Sequence, residues 1–364
     1  MTAYSAATTE VSSLEDVARR IVSCKSAASI SVAVLSRCRP SLRLHVVSEN
    51  SVPNERYYWT CAGKTLVVLA LASLVQDGRL SFDDPLPLHL PALTGAPWDG
   101  STISDLLSYD VPIDGDPAAV SVYLPEAAVV EHIGRVGWSA RGGGQGSTYN
   151  IWTNAFLLGE VIRHCSGEAP ADFIRARIID PLGLDGTNLR APAELLDEHL
   201  APFAREFESE RCRAEVGADA VVHADRYWPG VSVTGPMCDL ALAMSALLWT
   251  DASDPGGGLI SAEVAGQVRT PRNTPRSDGA HAGSDLSWGL GVIVDRRMGG
   301  RRGSTRSFGQ VGDNGSVIVC ADPDKGLVMA LGLRGCVAGA RTAFVRATIL
   351  EALLREFSDE LEAP

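Results

Sequence analysis

No stretch of this sequence reaches the ~18 consecutive apolar residues that a membrane-crossing helix needs. The amino terminus, "MTAYSAATTEVSSLEDVARRI", has no basic start followed by an apolar core. It therefore does not read as a secretory signal, and its first ten residues read as a frayed tail. Positive charge is in deficit: the formal net charge is −12, which argues against a general nucleic-acid binder. None of the eight cysteines forms a C-x-x-C pair, and none of the seven histidines has metal-ligand spacing, so no metal and no other cofactor is expected. Without an export signal the expected compartment is a reducing, cytoplasmic one, where most of these thiols serve as small buried hydrophobes. The glycine-rich "RGGGQGS" at 141–147 lacks the Gly-Lys-Ser/Thr of a phosphate loop and reads as a flexible loop. No internal repeat and no long low-complexity segment is present.

What remains is an ordinary globular composition, 45% hydrophobic and 21% charged, over 364 residues. That length suggests about two domains. "SISVAVLSRCRPSLRLHVVS" (29–48) reads as two strands with a turn near Arg39-Pro40. "KTLVVLALASLVQDGRL" is apolar on nearly every side, as a helix buried on all faces must be, and stops at Asp77-Gly78. "TISDLLSYDV" predicts a short helix capped by Ser104. "TNAFLLGEVIRHCSG", "APADFIRARIIDPLGL" and "GPMCDLALAMSALLW" predict further helices, the second ended by Pro181 and Gly183. "LSWGLGVIVD" and "GSVIVCADPDKGLVMALGLRG" read as strands, and "TAFVRATILEALLREF" as a terminal helix. The strands at the two ends can join in one antiparallel sheet. That gives an α+β domain from residues 1–100 and 231–364, with 101–230 inserted as a helical domain.

The chemistry begins at "WTCAGKTLVVLALASLVQDGRL" (59–80), where Cys61 precedes Lys64 by three residues at the mouth of the apolar helix. Residues i and i+3 share a helix face about 5–6 Å apart. A lysine held among apolar neighbours loses stabilisation of its charged form and can take a thiol proton, while a charged one can stabilise the thiolate. Taken alone, the commoner meaning of Cys-x-x-Lys is a buried thiol beside a lysine that snorkels to solvent.

The flanks change that weighting. "WTCAGKTLVVLALASLVQDGRLSFDDPLPLHLPAL" resembles the S-x-x-K segment of the serine β-lactamase and penicillin-binding-protein superfamily, in its class C β-lactamase and esterase branch. The resemblance puts Cys61 where that family has its nucleophilic serine and Lys64 at its lysine. "TISDLLSYD" is similar to the family's T-I-x-x-L-L-x-H-T-S-G, with His-Thr-Ser-Gly replaced by Tyr109-Asp110-Val111-Pro112. "STYNIWTNAFLLGEVIRHCSG" is similar to the block that carries the family's Tyr-x-Asn. Tyr149 is the candidate tyrosine. Its spacing to Leu157-Leu158-Gly159 is one residue off, so Asn150 or Trp152 is the alternative occupant. "SFGQVGDNG" aligns with F-G-H-x-G, placing Gln310, Val311 and Gly312 in the third motif. The resemblance runs from about residue 27 to 355 and implies a β-lactamase/transpeptidase-like α+β fold.

It further implies an oxyanion hole from the backbone N–H groups of Cys61 and Asp313, with Asn150, Trp152, Trp288, Gln310, Val311 and Gly312 near substrate. Sulfur for oxygen at position 61 makes the covalent intermediate a thioester, which amines attack more readily, relative to water, than they attack an oxygen ester. The expected function is therefore an acyltransferase of small-molecule biosynthesis that passes an acyl group from an ester, thioester or amide to an amine or alcohol. Gln310 removes the positive group that engages a β-lactam carboxylate, which argues against β-lactamase activity. An esterase or amidase, and a fold retired to binding, are the competing readings. Five arginines in "DRRMGGRRGSTRSF" (Arg296, Arg297, Arg301, Arg302, Arg306) are a solvated hairpin tip or a site for an anionic substrate or a carrier protein.

Overall fold

The computed structural model describes residues 13–37, 41–48, 55–95, 98–111, 126–136, 151–190, 229–272, 276–277, 285–294, 298–312, 316–334 and 340–358. An eight-stranded antiparallel sheet organises them. In chain order its strands are β1 (Ser29–Ser36), β2 (Leu42–Val47), β5 (Arg276–Ser277), β6 (Asp285–Trp288), β7 (Ile293–Val294), β8 (Phe308–Val311), β9 (Val317–Asp322) and β10 (Leu327–Arg334). Strands β3 (Tyr57–Tyr58) and β4 (Thr234–Gly235) form a small second sheet. Across the large sheet the order is β2-β1-β10-β9-β8-β7-β6-β5. β1 pairs with β10 in the register Ser29↔Arg334 to Ser36↔Leu327, so strands from the two ends of the chain lie side by side in the sheet.

The strands alternate as a two-faced sheet demands. Ile30, Val32 and Val34 of β1, with Met329, Leu331 and Leu333 of β10, pack in one core beneath helix α1 (Leu14–Ser23) and the C-terminal helix Ala340–Ser358. Ala33 and Leu35, with Val328 and Ala330, pack in the other. Both faces are covered, which is why these strands are apolar almost continuously.

The second core holds helix α2 (Lys64–Gln76), whose residues from Lys64 to Leu74 are all buried. Roughly 1.5–3 kcal/mol of transfer free energy stabilises the burial of each leucine there. The helices Ile151–Ser166 and Pro170–Ile174 pack against it. One sequence expectation changes. The Ile103–Leu107 helix is capped by Thr102 and not Ser104: the Thr102 side chain accepts from Asp105 N and the Asp105 carboxylate accepts from Thr102 N. "LSWGLGVIVD" is two short strands, because Gly289 to Val292 turns the chain between β6 and β7. No helix among the described residues is long and apolar enough to cross a membrane.

Candidate active site

A tight one-turn segment, Thr60–Gly63, precedes α2 and carries Cys61. The β4 segment anchors it through Trp59. Trp59 N donates to Val233 O at 2.9 Å and the Trp59 indole donates to Gly235 O at 2.9 Å. Thr60 is held at φ +47°, which a β-branched side chain rarely adopts, so the turn stores strain that these anchors must hold. Cys61 is 3% exposed.

Lys64 opens α2 and is 2% exposed. Its Nζ donates to Tyr109 Oη at 3.0 Å. Tyr109 sits at φ +58°, buried, with its ring edge-on to Trp288 at 4.6 Å between centroids. Two neighbours hold that turn. The amide of fully buried Asn154 donates to Leu106 O, and Gly291 N donates to Leu107 O at 3.0 Å. The tyrosine-bearing loop is thus tethered to the Ile151–Ser166 helix on one side and to the β6–β7 turn on the other.

Gln310 is fully buried on β8, and its Nε2 donates to Gly291 O. Its donor is therefore directed at the β6–β7 turn, while Oε1 has no protein partner among the described residues. Val311 is half-buried. Gly312 closes β8 against the Cys61 turn: a Cβ there would lie 2.5 Å from Thr60 Oγ1 and 2.8 Å from Trp59 O. Only glycine lets the strand end approach so closely.

The structure thus brings Cys61, Lys64, Trp288, Gln310 and Gly312 to one region. Tyr149, Asn150 and Asp313 lie outside the described residues, and Trp152 is in the first turn of the Ile151–Ser166 helix with its side chain likewise outside them. Sequence reasoning missed Tyr109 and Asn154. The signal for Tyr109 was the departure itself, a tyrosine where the resembled family has histidine. Asn154→Leu takes away the side-chain donor to the buried Leu106 carbonyl, which still accepts from Tyr109 N at 3.3 Å. The expected cost is about 1–3 kcal/mol in denaturant unfolding, with loss of activity as the Tyr109 turn relaxes.

Other charged and thiol groups sort away from this region. Arg302 and Arg306 of the basic stretch pair with Glu351 at 2.7 Å and Asp324 at 2.8 Å, while Arg296 and Arg297 lie outside the described residues. Burial pushes the Cys320 thiol up to about 12, with Asp322 adding to the effect. Cys238 is raised by burial and then by Asp239.

The pattern of the beta-lactamase family matches residues 19–335. A 6-aminohexanoate-dimer hydrolase from Paenarthrobacter ureafaciens is 26% identical over 102 residues, a match spanning 28% of this chain and only 25% of that protein. A family VIII carboxylesterase superposes with a TM-score of 0.74 at 16% identity, covering 97% of this chain and 99% of the esterase. EstCE1, a hydrolase with promiscuous acyltransferase activity, superposes with a TM-score of 0.69 at 14% identity, covering 94% of this chain and 97% of that one. At those identities the superpositions establish fold, and activity has to be argued from the site. A family match across most of the sequence, carried on that antiparallel sheet with α2 packed against it, makes this chain a member of the beta-lactamase family.

Proposed function

We propose that this chain is a cysteine-dependent acyltransferase in which Cys61 takes an acyl group from an ester, thioester or amide and passes it to an amine or alcohol. The observation that carries the reading is the placement of Cys61 one turn ahead of a buried lysine whose Nζ is bonded to Tyr109. A buried amine disfavours its charged form and needs a hydrogen-bonding partner, so its presence points to proton handling. In the proposed reaction the thiol proton moves to Lys64 as Sγ attacks the carbonyl carbon. Backbone N–H groups of Cys61 and Asp313 stabilise the oxyanion. The close seat of Gly312 against Thr60 supports that role for Asp313, the next residue. The leaving group departs with the proton, and the acceptor then releases the acyl group from sulfur. Tyr149 has the motif position for deprotonating the acceptor, and Tyr109 is the described tyrosine in bonding contact with Lys64.

Hydrolysis is the second reading. The relatives favour it, since a carboxylesterase and a 6-aminohexanoate-dimer hydrolase are both hydrolytic by name. EstCE1 is described as having both activities, in one protein of this fold. Intact-protein mass spectrometry with activated esters and thioesters separates them. Transfer predicts a Cys61 adduct that clears only when an amine or alcohol is added, and hydrolysis predicts one that clears in water. Absence of an acyl group on the Cys61 peptide of a digest of the treated protein overturns the nucleophile. In Cys61→Ser the partition should shift toward water, and equal amine-to-water ratios in both proteins would remove the thioester argument.

A further inference from the structure

A second constellation of nucleophile and base lies on other elements. Cys165 occupies the last turn of the Ile151–Ser166 helix, His89 ends the short helix Leu86–His89, and Asp84 stands in the loop before it. Cys165 Sγ is 3.3 Å from His89 Nδ1, and His89 Nε2 is 2.8 Å from Asp84 Oδ2. The hydrogen-bond pattern assigns the tautomer. A carboxylate can only accept, so Nε2 carries the hydrogen and the Nδ1 lone pair faces the thiol. Asp84 is fixed in turn, its Oδ2 accepting from Ser81 N at 2.9 Å.

We propose that Cys165, His89 and Asp84 form a second nucleophilic centre, one that accepts an acyl group from a small activated ester or thioester. The proton leaves only as the bond forms. Sγ attacks the acyl carbon, the thiol proton passes to His89 Nδ1, and the carbon–oxygen or carbon–sulfur bond of the donor breaks. The proton then goes from His89 to the departing alkoxide or thiolate. Asp84 stabilises the imidazolium meanwhile, as the third member of any nucleophile–base–carboxylate array does. Geometry favours this over metal binding: among the described residues no group of three or more His, Cys, Asp and Glu side chains could hold an ion. The thiol is protonated at rest, since burial and then Asp84 push it up to about 11 against the opposing Arg79. A base is therefore required. The charged and titratable groups against the array are Arg79, whose guanidinium donates to Cys165 O, and His164, whose ring stands edge-on to His89 at 5.5 Å.

The test uses the full chain carrying Cys61→Ala, so that its outcome is independent of the proposed Cys61 chemistry. The protein is treated with p-nitrophenyl acetate over a pH series, quenched, digested and read by peptide mass spectrometry. Exposed Cys24 is the reference thiol in the same digest. Acetylation of Cys165 should already proceed at neutral pH, well below the range in which the unassisted thiol ionises. His89→Gln should lower the Cys165-to-Cys24 ratio at least about 10-fold, below the full contribution of a positioned base. Asp84→Asn should lower it as well. Cys165 left unmodified while Cys24 is acetylated, or a ratio unchanged by His89→Gln, overturns the proposal. Should either variant fail to fold, the pH profile with His89 and Asp84 intact decides: a rate that follows only thiol ionisation, near the value of about 11 that burial imposes, refutes the base.

Discussion

Lys64→Met is expected to slow acylation of Cys61 by about 10²–10⁴-fold, the contribution of one positioned acid–base group. Methionine fills nearly the same volume and removes the amine, so the apolar packing around α2 survives. Stopped-flow release of p-nitrophenol, compared with the same measurement on Cys61→Ala, gives the Cys61 acylation rate. Tyr109→Phe should reproduce part of that loss, because Nζ gives up the acceptor 3.0 Å away while the ring keeps its edge-on contact with Trp288. If Lys64→Met acylates at the unaltered rate, the buried amine is structural and Cys61 needs another base.

Gly230→Ala is expected to cause a large stability loss at this site. Gly230 adopts φ +70°, and a Cβ there would lie 2.7 Å from Lys64 Cα and 3.0 Å from Lys64 N. Those are backbone atoms of the first helical residue and have nowhere to retreat. The left-handed conformation and the overlap add to about 3 kcal/mol or more. Urea unfolding of the variant should show a lower midpoint at unchanged slope. Because Gly63 packs against Gly230 O in return, activity should fall further than the lost folded fraction explains. An unchanged midpoint would mean that this strap moves freely away from Lys64.

Much of the fold was legible because its signals are local or periodic. The apolar run after Lys64 has no polar face to show solvent, and α2 is buried throughout as that requires. The alternation in β1 and β10 prescribes a sheet with two covered faces, and the hairpin "GSVIVCADPDKGLVMALGLRG" pairs β9 with β10 in the register Leu327↔Asp322. The helix cap was misplaced because Thr102 and Ser104 are both capping types. Only the reciprocal bond to Asp105 distinguishes them.

The site was legible in a different measure. By itself the sequence determined the helix, the Cys-x-x-Lys spacing and the order of three motifs, all of which are short-range patterns along one chain. It could not determine which tyrosine meets Lys64, because Tyr149 has the motif position while Tyr109 has the contact. That contact depends on Asn154, which reaches the Leu106 carbonyl from a helix, and on Gly291, which reaches the Leu107 carbonyl from a turn between strands. The Cys165–His89–Asp84 array was invisible for the same reason, its thiol and imidazole lying 76 residues apart. Hydrogen bonds between distant elements carry no sequence period, so tertiary packing alone decided them.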